Sequence, residues 1–227
     1  MELQSTVAAV TDEIRTRIGS GRYAPGQRLV AALIADDLGV SVQPVREALM
    51  ILQAEGRVTH DPGRGHTVTE LSAAELREIY RLRDLVEDEA LRRSFPHFDA
   101  ELIAALAAAA DRFDAAVASG VLGEIRRTNQ EFHDLLRSAN PMPRLDQLVE
   151  QLRAIASPYR ARYFEAAATW QPDVDDHWAM VRAIEAKDLP ALLAVTYDHR
   201  ARVVAVLTAH ADAALHAAAP SIPGAGS

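Results

Sequence analysis

The stretch Leu38–Arg46, LGVSVQPVR, constrains the fold most. Gly39 follows an apolar-periodic segment and permits a sharp turn. Ser41 is a favourable N-cap for the helix that follows. Pro44 then falls in that helix's first turn, where its missing N–H costs little. Val45, Leu49 and Leu52 recur on one face and seat the helix on its domain. Arg46 lies one turn in, where a major-groove helix meets phosphates or base edges. The stretch reads as the turn and recognition helix of a helix-turn-helix. A helical hairpin with no nucleic-acid role has the same local pattern, so the flanking sequence decides.

The flanks agree with the first alternative. Val7, Val10, Ile14 and Ile18 recur at helical spacing and predict a helix over Val7–Ser20. Gly19, Gly21, Pro25 and Gly26 mark a loop. A second helix is expected over Leu29–Leu38, with Leu33, Ile34 and Leu38 inward, and a third over Ser41–Glu55, ended by Gly56. Val58-Thr59-His60 and His66-Thr67-Val68-Thr69 are β-prone runs around the turn Asp61-Pro62-Gly63-Arg64-Gly65, which predicts a hairpin. Three helices and a hairpin make a winged helix-turn-helix. At the wing tip, glycines allow close backbone approach and Arg64 can enter a minor groove. An ordinary solvent hairpin is the plainer alternative.

Composition limits the function classes. The 227 residues suit one large or two small domains, and 49% of them are apolar, enough for a core. There are no cysteines. That removes disulfides, thiolate zinc sites and cysteine nucleophiles, and fits a reducing cytoplasm. Ala100–Ala110 is interrupted by Glu101 and stopped by Asp111, so no membrane span is expected. Glu2 stands where a secretory signal wants positive charge. The net charge is −8. Residues 1–70 hold seven arginines and nine acids, so most of the acidic excess lies beyond them. An acidic chain can still bind DNA through a focused basic face, but charge alone does not suggest it.

PGQRL, LGVSVQPVREALMILQAEG and GRGHTV, in this order and spacing, resemble the DNA-binding domain of GntR-superfamily transcriptional regulators, over roughly Val7–Glu70. The resemblance implies operator contacts from Ser41, Gln43 and Arg46 on the recognition helix and from Arg64 and Gly65 on the wing. Two departures stand out. Val42 occupies a position that is usually arginine, and Ala31 and Ala32 stand where a polar residue is common in the second helix. A lost bidentate base contact removes about 1–3 kcal/mol of discrimination, so the operator or the affinity is expected to differ.

Beyond Glu70 strand character disappears. Ser72 and Glu75 form a capping box that opens a helix running to Ser94, and Pro96 breaks it. Further helices are expected over Asp99–Ser119, Gly123–Ala139, Met142–Phe164 (with Pro158 as a kink or break), Asp173–Ala186 and Leu189–Ala217. Residues 71–216 are expected to form an all-α bundle of about six helices. Ala217–Ser227, rich in Ala, Pro, Gly and Ser, is expected to be a disordered tail. The fold class is mainly α: a winged helix-turn-helix over 1–70 followed by the bundle.

Asn129 and His133 sit four apart and share a helix face, His177 lies on the next-to-last helix, and His199 lies on the last. Three histidines on three rigid helices, each beside apolar residues, are a candidate metal site inside a bundle. Satisfied core histidines are the alternative. The bundle resembles the FCD effector domain of FadR-like GntR regulators. The matching marks are Asn129 ahead of Phe132-His133, Asp176-His177 opening a late helix, His199, and the phrase AIEAKD. The resemblance implies that Asn129, His133, His177 and His199 bind a divalent metal. Asn129 replaces an aspartate and lowers the site's charge by one. Three imidazoles and one oxygen suit Zn, Ni or Mn without distinguishing them.

Glu131 and Asp134 flank His133 but lie off its face, and Asp176 reads as a helix N-terminal acid or a support for a ligand. None is placed as a general base, which argues against an enzyme. Arg83 falls on the inward stripe of the first bundle helix. It either captures an effector carboxylate or pairs with Glu87 one turn away. Arg160 and Arg162 are weaker candidates that read as surface charges. The expected whole is a cytoplasmic transcriptional regulator, commonly a repressor in this family, binding double-stranded operator DNA as a homodimer under control of a small carboxylate. The alternative is a metal-dependent helical enzyme or ligand-binding protein whose winged helix is only an interaction module.

Overall fold

A computed structural model describes residues 2–63 and 65–218, with side chains except at 2–5, 161–162 and 210–218. The wing arginine, Arg64, and most of the expected tail lie outside the described residues. Residues 217 and 218 end the last helix.

The N-terminal part comprises α1 (Glu2–Gly19), β1 (Arg28–Leu29), α2 (Ala31–Leu38), α3 (Val42–Ala54), β2 (Val58–Asp61) and β3 (Gly65–Val68). Val10, Ile14 and Ile18 of α1, Ile34 of α2 and Val45, Leu49 and Leu52 of α3 interlock with Leu29, Val58 and Val68 in one core. Gly39 takes φ 66° and its N–H caps α2. Glycine suffers no Cβ clash in that left-handed conformation, so the tight turn between α2 and α3 is accessible. The wing is an antiparallel sheet of order β1-β3-β2, in register Val58↔Val68 and Arg28↔Thr67.

Three expectations need correction here. The second helix starts at Ala31, because Leu29 pairs with His66 in β1. A two-residue strand is too short to show alternation in sequence. Leu33, expected inward, is 69% exposed. Ile34 and Ala35 are the buried residues of α2, and Leu33 lies off the face they define. Ser41 takes the N-cap backbone conformation, but its hydroxyl makes no capping hydrogen bond.

The bundle holds α4 (Ala73–Ser94), α5 (Ala100–Ser119), α6 (Leu122–Arg137), α7 (Pro143–Tyr163), α8 (Trp170–Glu185) and α9 (Leu189–Ala218). The capping box at Ser72 and Glu75 is formed in both directions. Pro158 sits inside α7 without ending it. α8 begins three residues ahead of the expected start, entered through a 3-10 turn at Ala167–Thr169. That puts Asp173 rather than Asp176 in its first turn. No helix among the described residues is long and apolar enough to cross a membrane.

The two parts are in contact. α1 packs on α7. Arg126 Nη1 donates to the carbonyl oxygen of Ser20 at 3.0 Å. The Leu71 N–H donates to the Tyr159 hydroxyl.

Candidate functional site

The bundle brings together three of the predicted ligands at once. His133 from α6, His177 from α8 and His199 from α9 each offer a nitrogen within 4.8 Å of the others. The ring centroids of His133 lie 5.1 Å from His177 and 5.3 Å from His199. Phe132 stacks on His177 at 4.0 Å and 11°, and Phe113 packs at 4.6 Å, so apolar rings orient that imidazole. Asn129, one turn before His133, is 1% exposed. Glu131 and Asp134 turn away to Arg112, Arg127 and Arg137.

These atoms lack partners. Asn129 Oδ1, His133 Nε2 and both ring nitrogens of His177 are buried without a hydrogen bond among the described residues. Leaving a buried polar group unsatisfied costs about 1–3 kcal/mol. A divalent cation would satisfy one lone pair on Asn129 Oδ1, on His133 Nε2 and on one His177 nitrogen, so the donor set fits a metal. Burial holds His133 well below the ordinary histidine range, and the neighbouring His177 and His199 add to it. His177 is lowered in the same way, by burial first and then by His199. Both are therefore neutral at pH 7, the form that ligates.

His199 is held from behind. Asp176 Oδ2 lies 3.0 Å from its Nδ1, and Arg202 Nη1 donates to the same oxygen at 2.7 Å. Burial alone would raise Asp176, but the hydrogen bonds from His199 and Arg202 outweigh it and hold it low. Of its two predicted roles, Asp176 has the supporting one. Asp173, which sequence reasoning passed over, is 1% exposed; its Oδ1 accepts from the Tyr163 hydroxyl at 2.8 Å and lies 3.5 Å from His199 Nδ1. Its place four residues before His177 was the available signal.

A small cavity of about 30 Å³ lies beside the histidines, lined among others by Tyr80, Arg83, His133, Arg153, Arg160 and His199. Of the two alternatives for Arg83, the ion pair with Glu87 is formed. Its Nε donates to Glu87 Oε1 at 2.8 Å, while its buried Nη1 has no partner among the described residues. Tyr80 packs under the guanidinium at 4.5 Å. Burial alone would raise Glu87, but Arg83, Arg153 and Arg200 hold it at about 2. Arg160, expected at the surface, lines this cavity instead. Pro158 leaves α7 unbroken, so Arg153 and Arg160, two turns apart, both face inward. Arg153 and Arg200 gave no signal in the sequence, because their helix faces also carry charges that are solvated.

On the N-terminal part, Ser41, Gln43 and Arg46 are exposed at the start of α3. Gln43 Nε2 donates to Glu47 Oε1 at 2.8 Å. Gly65, at φ 80°, opens β3, and a Cβ there would meet nothing within 4 Å. The wing therefore places its tip on backbone that only glycine adopts readily.

Comparison with known proteins gives the same two-part division. Residues 6–68 match the family model of bacterial regulatory proteins of the gntR family, and residues 78–202, more than half of the chain, match the FCD domain. An uncharacterized HTH-type transcriptional regulator of Bacillus subtilis, YdhC, is 30% identical over 142 residues, 62% of this chain and 63% of that protein. The Escherichia coli HTH-type transcriptional regulator McbR is 27% identical over 190 residues, 83% of this chain and 86% of that protein. The solved structure of E. coli McbR superimposes with a TM-score of 0.81 at 25% identity, covering 90% of this chain and 98% of the other. The chain therefore belongs to the GntR family of DNA-binding transcriptional regulators, in the FadR-like group that carries an FCD domain behind its winged helix.

Proposed function

We propose that the chain is a homodimeric, cytoplasmic repressor whose affinity for operator DNA is set by a small carboxylate held at a divalent metal in the bundle. Residues 1–70 bind DNA, and residues 71–216 bind the effector and dimerise. The observation that carries this reading is the set of orphaned buried ligand atoms on Asn129, His133 and His177, beside a cavity edged by arginines.

Asn129, His133, His177 and His199 hold the metal. Zinc, nickel and manganese all suit three imidazoles and one neutral oxygen. Coordination positions left open by four protein ligands accept the effector's carboxylate, and the unpartnered Nη1 of Arg83 takes a second hydrogen bond to it. Ser41, Gln43 and Arg46 read the major groove, and Arg64 and Gly65 approach the minor groove. One recognition helix reads a half-site, so two-fold operators require a two-fold protein.

The test is a thermal-shift screen of the purified chain against small carboxylic acids, with and without a chelator. A ligand at a hundred times its dissociation constant stabilises the fold by about 2.7 kcal/mol. A shift abolished by chelation supports the metal-bridged effector. A shift that survives chelation places the effector on Arg83 alone. Absence of any shift from the metal-loaded protein rejects the carboxylate.

A further inference from the structure

The effector cavity carries more positive charge than one carboxylate neutralises. Arg83 from α4, Arg153 and Arg160 from α7 and Arg200 from α9 all line it. Two of them are matched inside the protein. Arg83 pairs with Glu87 at 2.8 Å. Arg200 pairs with Asp84 at 2.7 Å and with Asp88 at 2.5 Å.

Arg153 and Arg160 are matched less completely. Arg153 is 6% exposed, and its Nη2 donates to a neutral oxygen, Gln130 Oε1, at 3.2 Å. Its nearest carboxylate, Glu150, is 3.9 Å away and already binds Arg137 at 2.5 Å. Arg160 lies 5.8 Å over the Phe164 ring and makes no hydrogen bond or ion pair among the described residues. Burial pulls the Arg153 guanidinium down to about 9; Glu87 opposes that, while Arg160, Arg137 and Arg83 add to it. Arg160 is lowered by burial too; Arg83 adds to it, while Tyr80, Glu87 and Asp173 oppose it. Proteins bury a charge against its desolvation cost when a counter-charge is supplied. Here the chain supplies little of that counter-charge directly, at two neighbouring positions on one wall of the cavity.

We propose that the effector is at least a dianion, with one carboxylate directed to the histidine cluster and Arg83 and a second acidic group received by Arg153 and Arg160. The inference rests on the proposed role of the bundle as the effector site. The second group is a carboxylate or a phosphate; both present the planar or tetrahedral oxygens that guanidinium forks bind.

The experiment is isothermal titration of the metal-loaded full chain with length-matched pairs. One arm compares butyrate with C3–C6 dicarboxylates from malonate to adipate. The other compares glycerate with 3-phosphoglycerate. A dianion is expected to bind at least about tenfold tighter than its monoanionic partner, and the arm in which it does so identifies the second group. Arg153→Met and Arg160→Met should reduce the preference to within about threefold while keeping monoanion affinity. Arg153→Met should also raise the melting temperature of the ligand-free protein, because it removes a buried cation whose one ion-pair partner, Glu150 at 3.9 Å, is shared with Arg137. Equal affinity for mono- and dianions, with binding intact, overturns the inference and leaves the effector site standing. A preference that survives both substitutions also overturns it. No binding of any acid removes the effector site and the inference together.

Discussion

His199 and Asp176 face each other across α8 and α9, with Nδ1 of the imidazole 3.0 Å from Oδ2 of the carboxylate. Asp176 is held ionised by its hydrogen bonds, so it only accepts. The ring proton therefore sits on Nδ1 and the lone pair on Nε2. A carboxylate behind a ligating histidine fixes its tautomer and raises its basicity. Asp176→Ala is expected to lower metal affinity by about 10–100-fold. Competition with a chelating dye measures it, and unchanged affinity removes Asp176 from that role.

His133→Ala should lose the bound metal and keep the fold. His133 is one of three imidazoles converging from three helices, while the packing around it is carried by Phe132, Leu136 and Met180. Metal content by elemental analysis and helicity by circular dichroism check both halves. Full metal content in this variant contradicts the four-ligand site.

Arg46→Ala should weaken operator binding and relax preference at one base position, by about 1–3 kcal/mol if the contact is bidentate. Arg64→Ala should lower affinity across sequences and reduce the salt slope by about one. Mobility shifts across a salt series separate the two. Identical slopes for the wild type and Arg64→Ala would rule out a phosphate contact by the wing arginine.

Acid should destabilise the bundle through Glu87. Its folded pKa, about 2, lies below its ordinary value of 4.5. The folded state therefore binds this proton less readily than the unfolded chain. The stabilisation is present above pH 4.5 and lost as the pH falls toward 2. That gap is worth roughly 3 kcal/mol. Melting curves from pH 6 to pH 3 should fall less steeply for Glu87→Gln than for the wild type. Parallel curves would show that other carboxylates control acid stability.

Arg126 is expected to carry part of the coupling between effector and DNA. It reaches from α6 to the Ser20 carbonyl at the end of α1, and the cleft it lines also contains Asn129 and Arg160 from the effector site. Arg126→Ala should leave effector affinity unchanged and shrink the effector's influence on operator affinity. Allosteric couplings are typically about 1–3 kcal/mol, a range that titrations of DNA with and without ligand resolve. An undiminished coupling would place the connection elsewhere.

The local code of the winged helix and of the first bundle helix was open in the sequence. Gly39 marked a left-handed turn, Ser72 and Glu75 marked a capping box, and Val45, Leu49 and Leu52 marked a buried face; all three depend on residues a few positions apart. The candidate metal donors Asn129, His133, His177 and His199 were legible because rigid helices present i and i+4 side chains together and the spacing resembled a family pattern. Tertiary structure decided the rest. Leu33 turned outward because α2 packs on the face that carries Ile34 and Ala35. Arg160 turned inward because Pro158 did not break α7. Arg153 and Arg200 became cavity walls because five helices converge there, and no linear spacing encodes which charged face of a helix loses its water. The helical elements and donor atoms of this chain follow from short-range chemistry. The excess positive charge of its cavity follows only from how distant helices pack.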